Sequence, residues 1–74
     1  MPSLLVTKRT EEIDHVETGK RMRASRVKKH VSLRTLADRI GVSAPYLSDL
    51  ELGRRAWSEE RAQQFIAALN APSK

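Results

Sequence analysis

The apolar residues of this chain fall into short stripes at helical spacing, separated by polar caps and glycines. Leu33, Leu36, Ala37 and Ile40 recur every three to four residues after Ser32. Ser32 is a good helix N-cap and Gly41 offers a left-handed stop, so a second helix of two turns is predicted between them. Val42 follows the glycine as an apolar plug, and Ser43 caps a third helix of about 44–52 whose buried side is Tyr46, Leu47 and Leu50. Pro45 is tolerated in its first turn, where backbone N–H groups have no intrahelical partner. Gly53 ends it. A fourth stripe, Ala62, Phe65, Ile66 and Leu69, follows Ser58 as cap and Glu59 and Glu60 in the first turn, where acids suit the positive end of the helix dipole. Trp57, just ahead of that cap, sits where a hydrophobic staple folds back on the helix it precedes.

The N-terminal part is less regular. The segment "MPSLLVTKRT" reads as an arm in which "LLV" is a short strand or a docking segment, followed directly by Lys8 and Arg9. A helix begins either near Glu11, after Thr10, or only near His15, because Gly19 interrupts the pattern. The main first helix is expected at about Asp14 to Lys29, with Met22 in its core and His30 as its stop, histidine entering the left-handed region more readily than a branched residue. The fold class is all-α, a compact four-helix bundle with a short N-terminal arm. Residues 1–13 are expected to be a flexible arm, 14–70 the domain, with 32–53 as its two-helix unit, and 71–74 a tail.

Composition narrows the chemistry. The 74 residues allow one small domain with a modest core. There is no cysteine, and the two histidines, His15 and His30, are far apart, so no metal site and no cofactor is expected. No nucleophile–base set, glycine-rich phosphate loop or carboxylate pair is present, and an enzyme is not expected. No small-molecule ligand is evident either. The apolar runs are too short for a membrane span or a signal peptide, so the expected location is the cytoplasm, at the nucleoid. The net charge of +5 and a pI near 10.3 favour a polyanionic partner. From Lys20 to Arg34 the basic residues Lys20, Arg21, Arg23, Arg26, Lys28, Lys29 and Arg34 occur with no acid among them. Read alone, that run fits a solvated face as well as a contact surface.

Two short helices joined by "IGVS" are arranged so that one packs across a backbone while the next projects its N-terminal residues toward base edges. The string resembles the helix-turn-helix domain of the phage repressor and Cro family, also called the xenobiotic response element family. "GKRMRASR", "SLRTLADRIGVSAPYLSDLELGRR" and "SEERAQQFIAAL" carry the resemblance, with caps, alanine, glycine and the Glu-x-Gly ending in register. It implies a lambda-repressor-like fold with Ala37 as the small residue at the crossing of helices two and three and Gly41 as the turn glycine. Leu36, Ile40, Val42, Leu47 and Leu50 match core positions. Arg26 and Glu51 match a structural ion pair between helix one and the end of helix three.

The base-contact positions of the family fall on Ser43, Ala44, Pro45, Tyr46 and Asp49, with Ser48 nearby. Ala44 and Pro45 offer only apolar contact, for instance to a thymine methyl, in place of the familiar amides. Asp49 is open to two readings: it accepts from a cytosine amino group, or it pairs with Arg54 or another arginine and touches no base. Leu33 stands where many members have a phosphate-contacting Gln, which leaves Ser32 or Arg34 to take that role. Arg54 and Arg55, with Lys20, Arg21 and Arg23, complete the candidate phosphate contacts, which position a protein without specifying sequence. The resemblance implies a sequence-specific DNA-binding transcriptional regulator, a repressor of bacterial, phage or plasmid type, acting on double-stranded DNA as a homodimer. The alternative is an antitoxin-like or adaptor module that binds a protein partner while its helix-turn-helix autoregulates.

Overall fold

The computed structural model describes Leu5 and residues 13–71. The arm otherwise, and the tail from residue 72, lie outside the described residues, and with them the strand or docking role expected of "LLV", apart from Leu5. Leu5 and Ile13 are half-buried and pack on the core. Four helices follow: α1 (His15–Lys28), α2 (Leu33–Ile40), α3 (Ala44–Glu51) and α4 (Glu59–Leu69). Among the described residues there is no extended strand, and the architecture is all-α, as the periodicity predicts.

Each helix starts where a side-chain oxygen accepts a backbone N–H of the first turn, which satisfies one of the amides that a helix leaves unpaired. Asp14 accepts from Glu17 at 3.1 Å, Ser32 from Thr35 at 3.0 Å, Ser43 from Tyr46 at 3.2 Å and Ser58 from Arg61 at 3.1 Å. Asp14 is thus the cap of α1 rather than its first residue. The turns after the helices are set by backbone sign: His30 has φ 58°, Gly41 φ 87° and Gly53 φ 80°.

The core forms where the stripes meet. Met22, Leu36, Leu47, Leu50 and Phe65 are fully buried, with Ala37, Trp57, Ala62, Ala68 and Leu69 around them. α1 packs on α3, and α2 packs on both α3 and α4. Arg39 adds a tie from α2 to α4 by donating from Nη1 to the Ala68 carbonyl at 3.0 Å. Trp57 folds back on α4 as a staple does, but its ring meets Phe65 edge-on, with centroids 5.5 Å apart and an interplanar angle of 71°. Its indole N–H also donates to the Leu50 carbonyl at 2.9 Å, and its backbone N–H to Nδ1 of His15 at 2.9 Å.

Gly19 is a helical residue inside α1, and it is the point of closest approach between α1 and α3. A Cβ there would lie 2.4 Å from the Glu51 carbonyl oxygen and 2.6 Å from that of Leu50. The glycine that interrupts the apolar pattern therefore admits another backbone.

Candidate nucleic-acid interface

The two-helix unit is built from its turn outward. At the end of α2 the N–H groups of Gly41 and Val42 both donate to the Ala37 carbonyl, at 2.8 and 3.0 Å. Gly41 takes the left-handed conformation, and Ala37 is nearly fully buried. No heavy atom lies within 4 Å of the Cβ position at Gly41, so its conformation, not lack of space, calls for glycine. The Ser43 cap then fixes where α3 begins.

The C-terminal end of α3 is tied down. Arg26 Nε and Nη2 donate to Glu51 Oε2 and Oε1 at 2.7 and 3.0 Å, and Arg26 Nη1 donates to the Val31 carbonyl at 3.0 Å. The Arg26 side chain is 12% exposed and that of Glu51 4%. A planar guanidinium offers a rigid fork that matches a carboxylate in this two-bonded geometry, and the same group reaches the loop after α1. Glu51 is therefore an inward-facing residue whose charge is met inside the domain.

The N-terminal end of α3 is the free one. Ser43 and Pro45 are exposed, while Ala44, Tyr46, Ser48 and Asp49 are half-buried. Two guanidinium groups lie against the Tyr46 ring, the Arg55 carbon 5.5 Å and the Arg61 carbon 5.4 Å from its centroid. Asp49 Oδ2 is 3.8 Å from Arg55 Nε. Its carboxylate pairs with Arg55, whereas Arg54 meets residue 49 only through its backbone N–H, which donates to the Asp49 carbonyl at 2.9 Å. Tyr46, Asp49 and Arg55 thus form one cluster.

The other candidate cations lie on α1, on α2 and just after α3. Lys20 and Arg23 border a groove between α1 and the second half of α3, which is also lined by Ala24, Val27, Lys28 and Ser48. Lys20 stands 3.8 Å from Glu17, as an exposed pair. Arg21 and Arg34 are exposed, and no hydrogen bond or ion pair joins them to other side chains among the described residues. Arg54 is exposed after α3. Ser32 is occupied locally, for its hydroxyl also donates to Thr35 Oγ1 at 2.8 Å. Leu33 is half-buried against the core and offers no polar group to solvent.

Arg61 is the member of this surface that sequence reasoning missed. It lies in the first turn of α4, 15 residues beyond Tyr46, and no local pattern links the two. Among the described residues there is no cluster of three or more groups able to hold a metal ion, and no helix is long and apolar enough to cross a membrane.

Comparison with known proteins agrees with this geometry. The helix-turn-helix family model matches residues 22–73. Two relatives from Mycobacterium tuberculosis, strains CDC 1551 / Oshkosh and ATCC 25618 / H37Rv, each named as an uncharacterized HTH-type transcriptional regulator, are 43% identical over 56 residues. The alignment covers 76% of this chain but 40% of each relative, so the chain spans well under half the length of the proteins it matches. No solved structure gives a significant match. With capped α2 and α3 joined by the Gly41 turn and the Arg26–Glu51 tie in place, the chain belongs to the lambda repressor/Cro-like helix-turn-helix family.

Proposed function

We propose that this protein is a sequence-specific DNA-binding transcriptional regulator, a repressor of bacterial, phage or plasmid origin. The N-terminal half of α3 enters the major groove of double-stranded DNA. The observation that carries this reading is the asymmetry of α3: its C-terminal end is locked by Arg26, and its exposed end presents small residues beside a cluster of arginines. Ser43, Ala44 and Pro45 allow close approach to base edges, and Lys20, Arg21, Arg23, Arg34, Arg54 and Arg55 contact phosphates. One short helix reads few bases, so the protein acts as a homodimer on half-sites roughly 34–36 Å apart. It works in the cytoplasm, at the nucleoid, without a cofactor.

The test is selection of bound duplexes from a random pool at near-physiological salt. Enrichment of a two-fold motif is expected, and enrichment of no motif sinks the reading. Arg55→Ala is expected to weaken binding on all sequences alike and to lower the log–log salt slope by ~0.9, the value for one phosphate contact. Asp49→Ala separates the two readings of that residue. A change of preference at one base position marks direct readout of a cytosine, whereas an unchanged motif assigns Asp49 to holding Arg55.

A second reading, the antitoxin-like or adaptor module, is favoured by the groove between α1 and α3. Val27 and Leu52 are 52% and 55% exposed there, beside Lys20, Arg23 and Lys28. Apolar side chains rimmed by cations suit an acidic protein segment. Val27→Glu with Leu52→Glu is expected to leave motif selection intact if DNA is the partner. Loss of regulation in cells with undiminished DNA binding favours the adaptor.

A further inference from the structure

We infer that Tyr46, Arg55 and Arg61 form a phosphate clip, in which the tyrosine ring carries two arginines from separate elements to the DNA backbone beside α3. This inference rests on the DNA-binding reading above. It removes Tyr46 from the base-contact set and adds Arg61 to the residues that bind phosphate.

Arg55 comes from the loop after α3 and Arg61 from the first turn of α4, yet both guanidinium carbons lie within 5.5 Å of one ring centroid. The negative face of an aromatic ring attracts each cation, but the ring has no net charge and cannot neutralise two. Like charges gathered in one place repel, and the repulsion favours an incoming anion. Asp49 is the carboxylate of the cluster, and it stands 3.8 Å from Arg55. Arg61 has no ion pair among the described residues. Its Nη1 donates to Gln64 Oε1 at 2.7 Å, a neutral acceptor, and this leaves its other guanidinium N–H groups for a further acceptor. The neighbouring acids Glu59 and Glu60 are exposed and make no ion pair with it.

Position supplies the rest. Tyr46 is half-buried, its N–H bonded to the Ser43 cap, so the ring is anchored to the start of α3. The two arginines are thereby held at the edge of the surface that faces the groove in the proposed complex. A guanidinium held over a ring still has N–H groups free for two-point contact with a phosphodiester, and the ring contact limits the rotamers that binding must freeze. With both guanidinium carbons within 5.5 Å of its ring centroid, Tyr46 is a positioning residue that supports cations instead of reading a base.

The experiment measures affinity of the full chain for the duplex motif that selection returns, by fluorescence anisotropy at several salt concentrations. Arg61→Ala is expected to lower the log–log salt slope by ~0.9 and to leave the preferred motif unchanged. Tyr46→Phe keeps the ring and is expected to bind like the parent protein, while Tyr46→Leu binds roughly fivefold more weakly through loss of stacking. Combining Tyr46→Leu with Arg61→Ala is expected to cost less than the product of the two single effects, because they act through one unit. Circular dichroism melts establish that each variant is folded, and Tyr46→Phe and Arg61→Ala carry the test if Tyr46→Leu is not. An unchanged salt slope in Arg61→Ala overturns the clip. A shift in preferred base on substituting Tyr46 also overturns it and restores Tyr46 as a reader. If the parent protein binds no duplex, the DNA-binding reading itself fails, an outcome distinct from binding that ignores Arg61.

Discussion

Glu51→Ala is expected to lower the melting temperature by about 15 °C or more, from a loss of ~3–5 kcal/mol, the usual result of removing one partner of a buried ion pair. The carboxylate meets the Arg26 guanidinium at 2.7 and 3.0 Å, and both side chains are largely shielded from water. Without it, Arg26 keeps the Val31 carbonyl as a hydrogen-bond partner but has no counter-charge. The loss measures an unpaired buried cation rather than the net worth of the pair, and a control separates these. Replacing Arg26 and Glu51 together by methionine is expected to recover much of the stability, since desolvating two ions offsets most of their attraction. Thermal melts of the three proteins decide the matter. A melting temperature within about 3 °C of the parent for Glu51→Ala means that water reaches Arg26 after all.

Gly19→Ala follows as the second large effect, and its sign is opposite to what helix propensity alone predicts. Alanine in a helix interior ordinarily gains roughly 0.5–1 kcal/mol over glycine. At this position the new methyl would stand 2.4 and 2.6 Å from two carbonyl oxygens of α3, atoms of a backbone that cannot turn aside as a side chain can. Relief requires α1 and α3 to separate. A net destabilisation of about 2–3 kcal/mol is expected, as for other overpacked sites. The separation also pulls Glu51 away from Arg26, so Gly19→Ala and Glu51→Ala should be less than additive in denaturant melts. A neutral or stabilising Gly19→Ala contradicts the close approach.

Much of the fold was legible because its punctuation is local. Ser32, Ser43 and Ser58 cap the helices that follow them, and Gly41 and Gly53 mark the stops, since a cap needs only an amide three residues away and a left-handed turn only a residue that tolerates it. Leu36 in α2, Leu47 and Leu50 in α3 and Phe65 in α4 are legible as core for the same reason: within each helix, spacing puts the apolar residues on one face. In the sequence Gly19 is only an interruption, because what it accommodates is a carbonyl some thirty residues away, and spacing along one helix carries no information about the backbone of another. Of the candidate surface, the Arg26–Glu51 contact came from resemblance and not from periodicity. Resemblance places Tyr46 at a groove-facing position, but the two cations beside its ring come from other elements, and no spacing along α3 points to Arg61 on a different helix. Pairings between elements depend on the angles at which helices cross, and those emerge from the whole packing.

The indole of Trp57 gives the molecule a built-in optical reporter. It is the only tryptophan in the chain, and it touches three elements: Phe65 in α4, the Leu50 carbonyl at the end of α3, and His15 at the start of α1 through its own backbone N–H. Trp57 is 2% exposed, so its emission in the folded protein is expected to be that of a dry, fixed indole and to shift to the red when water reaches it. Because its N–H is spent on the last turn of α3, any tilt of that helix changes the indole's environment directly. Ultraviolet emission from one native side chain can thus follow unfolding and, in the proposed complex, the seating of α3 on a duplex, with no added dye.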